Sequence, residues 1–283
     1  MSIVSVLSLL TVLSLNSPAA ENNENPFSAK LSVRYSPEVD IKDQSGELQY
    51  AKIVLRLGYQ KILENGTPVY INIGPDHYIL TENSAVNLPP DAKSRGIRVG
   101  TELNVPFVDD HFLLGLELNP TFQTAKEVQF DSDGFRMRFS TFLKYKADNG
   151  LVWVLGANVR PGYEMPVLPI FGFNYQLNDK ISINLVSDAP NVSYALTDKT
   201  KLLWEFDYTF DEFEIIGGSL DGSTLSIQDF ATGAGIEHTF NDHVAVKAGF
   251  GGVFNRIIKY EDAPGKVVPE NGVYFSVKAD VHF

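Results

Sequence analysis

The charged residues of this chain alternate with apolar ones. Arg56 lies between Leu55 and Leu57, Arg98 between Ile97 and Val99, Arg136 and Arg138 on either side of Met137, and Glu205 and Asp207 on either side of Phe206. In a β-strand this spacing sends the charges to one face and the apolar side chains to the other. The same register collects Arg34, Lys52, Glu102, Glu117, Lys144, Arg160, Glu237, Lys247, Lys278 and Asp280. Most of the arginines fall in the N-terminal two-thirds and several of the acids in the last third. Two kinds of chemistry follow. Permanently charged guanidinium groups opposed to carboxylates across water would make a selective constriction. The same groups in direct contact would make a salt-bridged filling for a narrow interior.

Other reactive groups are sparse. The five histidines are His77, His111, His238, His243 and His282. None has a second ligand at helical spacing, and His238 and His243 flank one tight turn, so they read as turn residues rather than a metal site. Asp109-Asp110-His111 also reads as a turn. No inward strand position away from the strand ends carries a His, which leaves a Ser-His or Asp-His dyad within the wall unsupported. Phosphate-loop, dinucleotide and zinc-protease motifs are missing. The expectation is a protein that is not an enzyme and takes no cofactor. A net charge of −12 argues against nucleic acid as a partner, and the absence of Cys removes thiolate sites and disulfides.

The elements that must position these charges are strands. Period-2 alternation recurs at about 28–37, 48–60, 68–74, 94–107, 111–122, 134–146, 151–160, 166–177, 180–186, 191–197, 201–211, 224–240, 243–257 and 272–283, and helical spacing fails throughout. That predicts an all-β chain of fourteen strands. The pair 180–186 and 191–197 is short for a membrane span of roughly 9–11 residues, so twelve is the alternative. Short Asn/Asp/Gly turns, such as Glu64-Asn65-Gly66, Asp148-Asn149-Gly150 and Asn241-Asp242, alternate with longer polar connections near 38–47, 76–93, 124–133, 216–224 and 258–271. A transmembrane antiparallel up-and-down barrel sorts its connections in this way. Tyr59, Phe107, Phe112, Tyr145, Trp153, Tyr175, Phe240 and Phe283 cluster near the short turns, as a girdle at the headgroup level would.

Residues Ile3 to Leu15 form an apolar run too short to span a bilayer, followed by Ser17-Pro18-Ala19-Ala20. This reads as a signal peptide over 1–20, cut after Ala19 or Ala20, although the leading segment lacks Lys and Arg. Residues 21–283 then form a single barrel domain.

The last twelve residues, Gly272 to Phe283, place Val273, Phe275, Val277, Ala279, Val281 and Phe283 on one face. Tyr274, Ser276, Lys278, Asp280 and His282 take the other. A chain stopping on such a strand resembles the bacterial outer-membrane β-barrels, whose closing strand typically ends in Phe. The stretch from Pro169 to Asn184, with its Tyr175-Gln176-Leu177-Asn178-Asp179-Lys180 turn, resembles the repeated hairpins of an uncharacterised family of such barrels. The resemblance implies export to the bacterial outer membrane and contact with its lipid. It also implies assembly by the barrel-insertion machinery, with Phe275, Val277, Ala279, Val281 and Phe283 as the recognised strand. The expected function is a narrow porin-like channel for small solutes, with the arginine-rich wall favouring anions. The alternative is a non-conducting structural or binding barrel whose outer loops 76–93 and 258–271 meet partners. Inward Tyr50, Tyr70, Phe142 and Tyr274 predict a crowded lumen.

Overall fold

In the computed structural model the alternating segments form one antiparallel ring. The structure describes residues 26–64, 67–84, 86, 88–104, 111–125, 132, 134–186 and 190–283. The signal-peptide expectation and Phe107 lie outside them. The strands are β1 Phe27–Asp40, β2 Glu47–Ile62, β3 Pro68–Glu82, β4 Asp91–Asn104, β5 Phe112–Ala125, β6 Phe135–Lys146, β7 Val152–Val159 and β8 Val167–Gln176. They continue as β9 Ile181–Asn184, β10 Asn191–Thr197, β11 Thr200–Ile215, β12 Thr224–Asn241, β13 Val244–Tyr260, β14 Lys266–Val267 and β15 Gly272–His282. Each of the first thirteen pairs with its neighbour in sequence, β15 returns beside β13, and β1 closes the ring on β15. The ring therefore has 14 strands, and the two-residue β14 lies outside it, on the edge of β13.

The seam holds eight aligned pairs, from Ser28↔His282 to Tyr35↔Phe275. It is completed below by Phe27 and Phe283, whose N–H groups donate to each other's carbonyls at 3.1 and 2.8 Å. Closure removes the free sheet edge that lipid could not solvate.

Burial is inverted relative to a water-soluble protein. Large outward side chains are bare, with Leu155, Phe171 and Phe250 64%, 72% and 65% exposed, while inward Arg34, Glu205 and Ser276 are buried. A continuous belt of this kind far exceeds the apolar patches water-exposed surfaces carry, and hydrocarbon is the solvent that suits it. Both described termini lie at the end with the shorter connections, 198–199 and 242–243 being the shortest; the longest, 261–271, is at the other end. Trp153, Phe240, Tyr59 and Phe283 ring the terminal end. Short β9 and β10 do belong to the ring, paired by Ser182↔Ser193 and Asn184↔Asn191.

Two expectations are corrected. The connection expected at 76–93 begins at residue 83, because β3 continues through Glu82. Pro75 reads as a strand breaker. The ladder is broken there, jumping from Val54↔Asp76 to Leu57↔Ile73, but the strand resumes beyond it. Likewise β11 runs to Ile215, four residues past its expected end at 211.

Candidate functional site

The barrel interior changes character with height. At the end away from the termini, inward positions are apolar: Leu48, Tyr50, Tyr78, Phe213, Leu225, Ile227, Ile258 and Val267 are fully or almost fully buried in one cluster. Their rings interlock, Tyr50 to Tyr78 at 6.1 Å and Tyr78 to Phe213 at 5.2 Å. The top of β11 swings across the ring and pairs in parallel with β5 through Glu214↔Thr124 and Ile215↔Ala125. This junction cuts β6–β10 off from the upper barrel, and the cluster is built from β2–β5 and β11–β14. The result is an apolar cap across one mouth.

Beneath the cap the expected arginines meet carboxylates. Arg34 on β1 pairs with Asp207 on β11 and lies 3.5 Å from Asp229 on β12. Arg138 on β6 reaches Asp211 on β11 at 2.9 Å, and Arg136 reaches Glu214 at 3.2 Å. The basic wall and the acidic wall are thus joined directly, with no clear passage between these partners. Arg256 closes the network, 3.2 Å from Asp229 and stacked 4.0 Å over the Tyr50 ring. Lys52 lies over the Tyr78 ring at 4.9 Å. Lower down, Glu205 accepts from Lys247 and Lys278, Glu102 from Lys144, and Glu237 lies 3.7 Å from Lys201.

Three arginines share a cavity. Arg56, Arg98 and Arg138 line about 50 Å³ of space in the β2–β6 wall, together with Asp76 and the neutral polar residues Asn72, Asn119, Ser94 and Thr121. Two local features mark its lining. Gly74 and Gly96 face each other across β3 and β4. A Cβ on Gly74 would lie 2.0 Å from the Leu55 carbonyl oxygen, and one on Gly96 2.3 Å from the Thr121 methyl, so no side chain fits at either position. The ladder is also interrupted at Pro75 and, between β4 and β5, near Pro120. Arg56 covers the first interruption by donating to the carbonyls of Leu55, Gly74 and Pro75 at 3.0, 3.3 and 3.2 Å, besides pairing with Asp76. Glu117 accepts from Tyr70 at 2.7 Å and lies 3.5 Å from Arg98.

Arg160 is placed differently from the other expected lumen charges. Above Glu205, the β11 edge that faced β10 has no strand partner until the β5 junction, because β9 and β10 are short. Arg160 sits in this notch, donating to the Phe210 carbonyl at 2.9 Å and the Met165 carbonyl at 3.1 Å. Tyr163, from the β7–β8 connection, accepts from Arg138 at 2.7 Å and bonds to Gln123. Burial pushes its phenol up to about 12, so it remains a neutral hydrogen-bonding group at any ordinary pH. Exposed Phe171 and Tyr208 lie on the strands bordering the notch.

Asp76, Asp211, Asp229 and Arg256 belong to this interior but were not among the expected charges. Tyr50, Tyr70, Phe142 and Tyr274 all take inward positions: Tyr50 packs in the cap, and Tyr274 lies under Arg34 at 5.5 Å. Among the described residues no three His, Asp or Glu side chains converge as metal ligands.

No protein-family model and no curated relative matches the chain. Solved structures of similar outline are bacterial outer-membrane proteins at low identity. An outer membrane channel from Pseudomonas putida F1 is 10% identical, with 94% of this chain and all of that one covered and a TM-score of 0.46. A FadL homologue of Pseudomonas aeruginosa is 12% identical over 91% of this chain and 90% of its own, with a TM-score of 0.48. The KdgM porin is 9% identical over 90% and 99%, with a TM-score of 0.37.

Proposed function

We propose that the protein is a bacterial outer-membrane barrel that passes small solutes along a narrow path closed at rest. The observation that carries this reading is an arginine-lined cavity of about 50 Å³ lying directly beneath an apolar cap in a ring of 14 strands. A barrel serving only as a scaffold has no need of solvent-sized space among charged side chains, and an open porin has no need of a cap. Residues 1–20 direct export, and the mouth with the longer connections faces outward. No catalytic role is proposed.

A second reading, a non-conducting structural or binding barrel, is favoured by the direct pairing of the two charged walls through Arg34–Asp207, Arg138–Asp211 and Arg136–Glu214. Its partner surface would be the connections 83–90 and 261–271, the latter pinned to the end of β1 and the β1–β2 turn, where Glu270 N–H donates to the Asp40 carbonyl and Lys42 N–H to the Val268 carbonyl. Liposome swelling separates the two. Slow but measurable entry of small solutes, faster when the cap is weakened, fits the channel; no entry in wild type or cap variants fits the scaffold.

Assembly gives a further prediction. Deleting Phe283 removes the pair with Phe27 that finishes the seam and truncates the strand the insertion machinery would bind. The expected result is protease-sensitive periplasmic material and a strongly reduced membrane fraction on immunoblots. Wild-type membrane levels would remove Phe283 from this role.

A further inference from the structure

The geometry points to the Arg56–Arg98–Arg138 cavity as a binding site for one small oxyanion, a carboxylate or phosphate group. This deepens the channel reading and rests on it for physiological meaning.

Size sets the first limit. A cavity of about 50 Å³ holds about four waters. That is the bulk of phosphate, acetate or bicarbonate, or of the acidic head of a longer solute whose remainder lies in the lumen.

Chemistry sets the second. The residues lining the space include three arginines and a single acid, Asp76. Planar guanidinium forks match the paired oxygens of carboxylate and phosphate. Asn119 on β5 adds a neutral donor beside Arg98.

Preorganisation is the third. Arg56 is held by three carbonyls and Asp76, and Arg138 by Asp211 and Tyr163. These partners fix the guanidinium orientations before any ligand arrives, which lowers the cost of binding. They also balance the charge of the wider cluster, since Glu117 and Asp211 stand behind Arg98 and Arg138. Recognition therefore comes from directed hydrogen bonds rather than from a broad positive field. It should discriminate oxyanions from chloride.

The test is isothermal titration calorimetry on the folded, detergent-solubilised barrel with inorganic phosphate, acetate, chloride and choline as separate titrants. Saturable binding of phosphate or acetate, weaker by about ten- to hundredfold in Arg98→Gln and unchanged in Lys30→Gln near the terminal mouth, is the expected result. Asn119→Leu, which leaves every ion pair in place, should weaken the same titrants and covers the case in which Arg98→Gln fails to fold. No saturable oxyanion binding to the folded wild type would overturn the site, as would equal binding by Asn119→Leu and wild type, or equal affinity for chloride. Solute entry measured on the same preparations keeps the two ideas apart. Binding without entry leaves the site and removes the channel; entry without binding does the reverse.

Discussion

Replacing Asp229 with alanine is expected to destabilise the folded barrel by about 3–5 kcal/mol, the usual cost of stripping one member from a buried ion cluster. The Asp229 side chain has no exposed surface, and the Arg256 side chain beside it is 4% exposed. Arg256 has two hydrogen bonds outside the chain backbone, to Asp229 at 3.3 Å and Ser36 at 3.3 Å. Without the carboxylate its charge stays between the cap and the strand wall with only a hydroxyl and the Tyr50 ring to face. Arg34 keeps Asp207, so the loss concentrates on Arg256. Denaturant unfolding in detergent, or the temperature of the heat-modifiable gel shift, reads the effect. Asp229→Asn should fall between wild type and alanine, because an amide retains an acceptor but not the charge. A loss below about 1 kcal/mol, the range of exposed pairs, would mean that water reaches the cluster.

The cap gives the other large effect. Phe213 is fully buried and its ring meets Tyr78 edge-on. Truncating a buried Phe to Ala costs about 3–5 kcal/mol, and if opening the mouth separates these rings, that energy is removed from the closed state alone. The open population should then rise by about two to four orders of magnitude in Tyr78→Ala, Phe213→Ala barrels. Planar-bilayer recordings should show long openings in the double variant against rare brief events in wild type. Tyr78→Phe should loosen the cap less, losing the hydrogen bond to Asp211 but keeping the packing. Silence in every variant that folds would favour the scaffold reading.

The strands were legible because lipid outside and polar groups inside leave a period of two, and that period holds wherever the wall crosses the belt. It fails above the belt, where the environment inverts. On β12, Leu225 and Ile227 point inward to the cap while Ser226 and Gln228 point outward. The sense of the pattern reverses within one strand, so parity alone gives no sign of a cap. Arg256 was hidden for a different reason. Asn255 adopts φ 52°, and the ladder slips between Gln228 and Phe230, so two β13 residues oppose Asp229. This bulge turns Arg256 inward although counting from Lys247 puts it outside. Asp76 follows Pro75, and the sequence there reads as loop. The charges themselves were legible in Arg56, Arg98 and Arg138. Their convergence on one cavity was not, because it depends on Gly74 and Gly96 facing each other across strands whose register only the folded barrel fixes.

Single-cysteine labelling of intact cells tests the capped membrane barrel most directly, because the chain has no native Cys to confuse it. Asp43→Cys marks the long-loop end, Asn72→Cys the cavity and Leu118→Cys the bare apolar belt. With a membrane-impermeant maleimide added outside, Asp43→Cys should react and the other two should not, while a lipid-soluble maleimide should reach Leu118→Cys. Adding the cap substitutions Tyr78→Ala and Phe213→Ala should then expose Asn72→Cys. Asn72→Cys reacting in the intact barrel as fast as Asp43→Cys would contradict the closed cap, and impermeant reagent reaching Leu118→Cys would contradict the membrane belt itself.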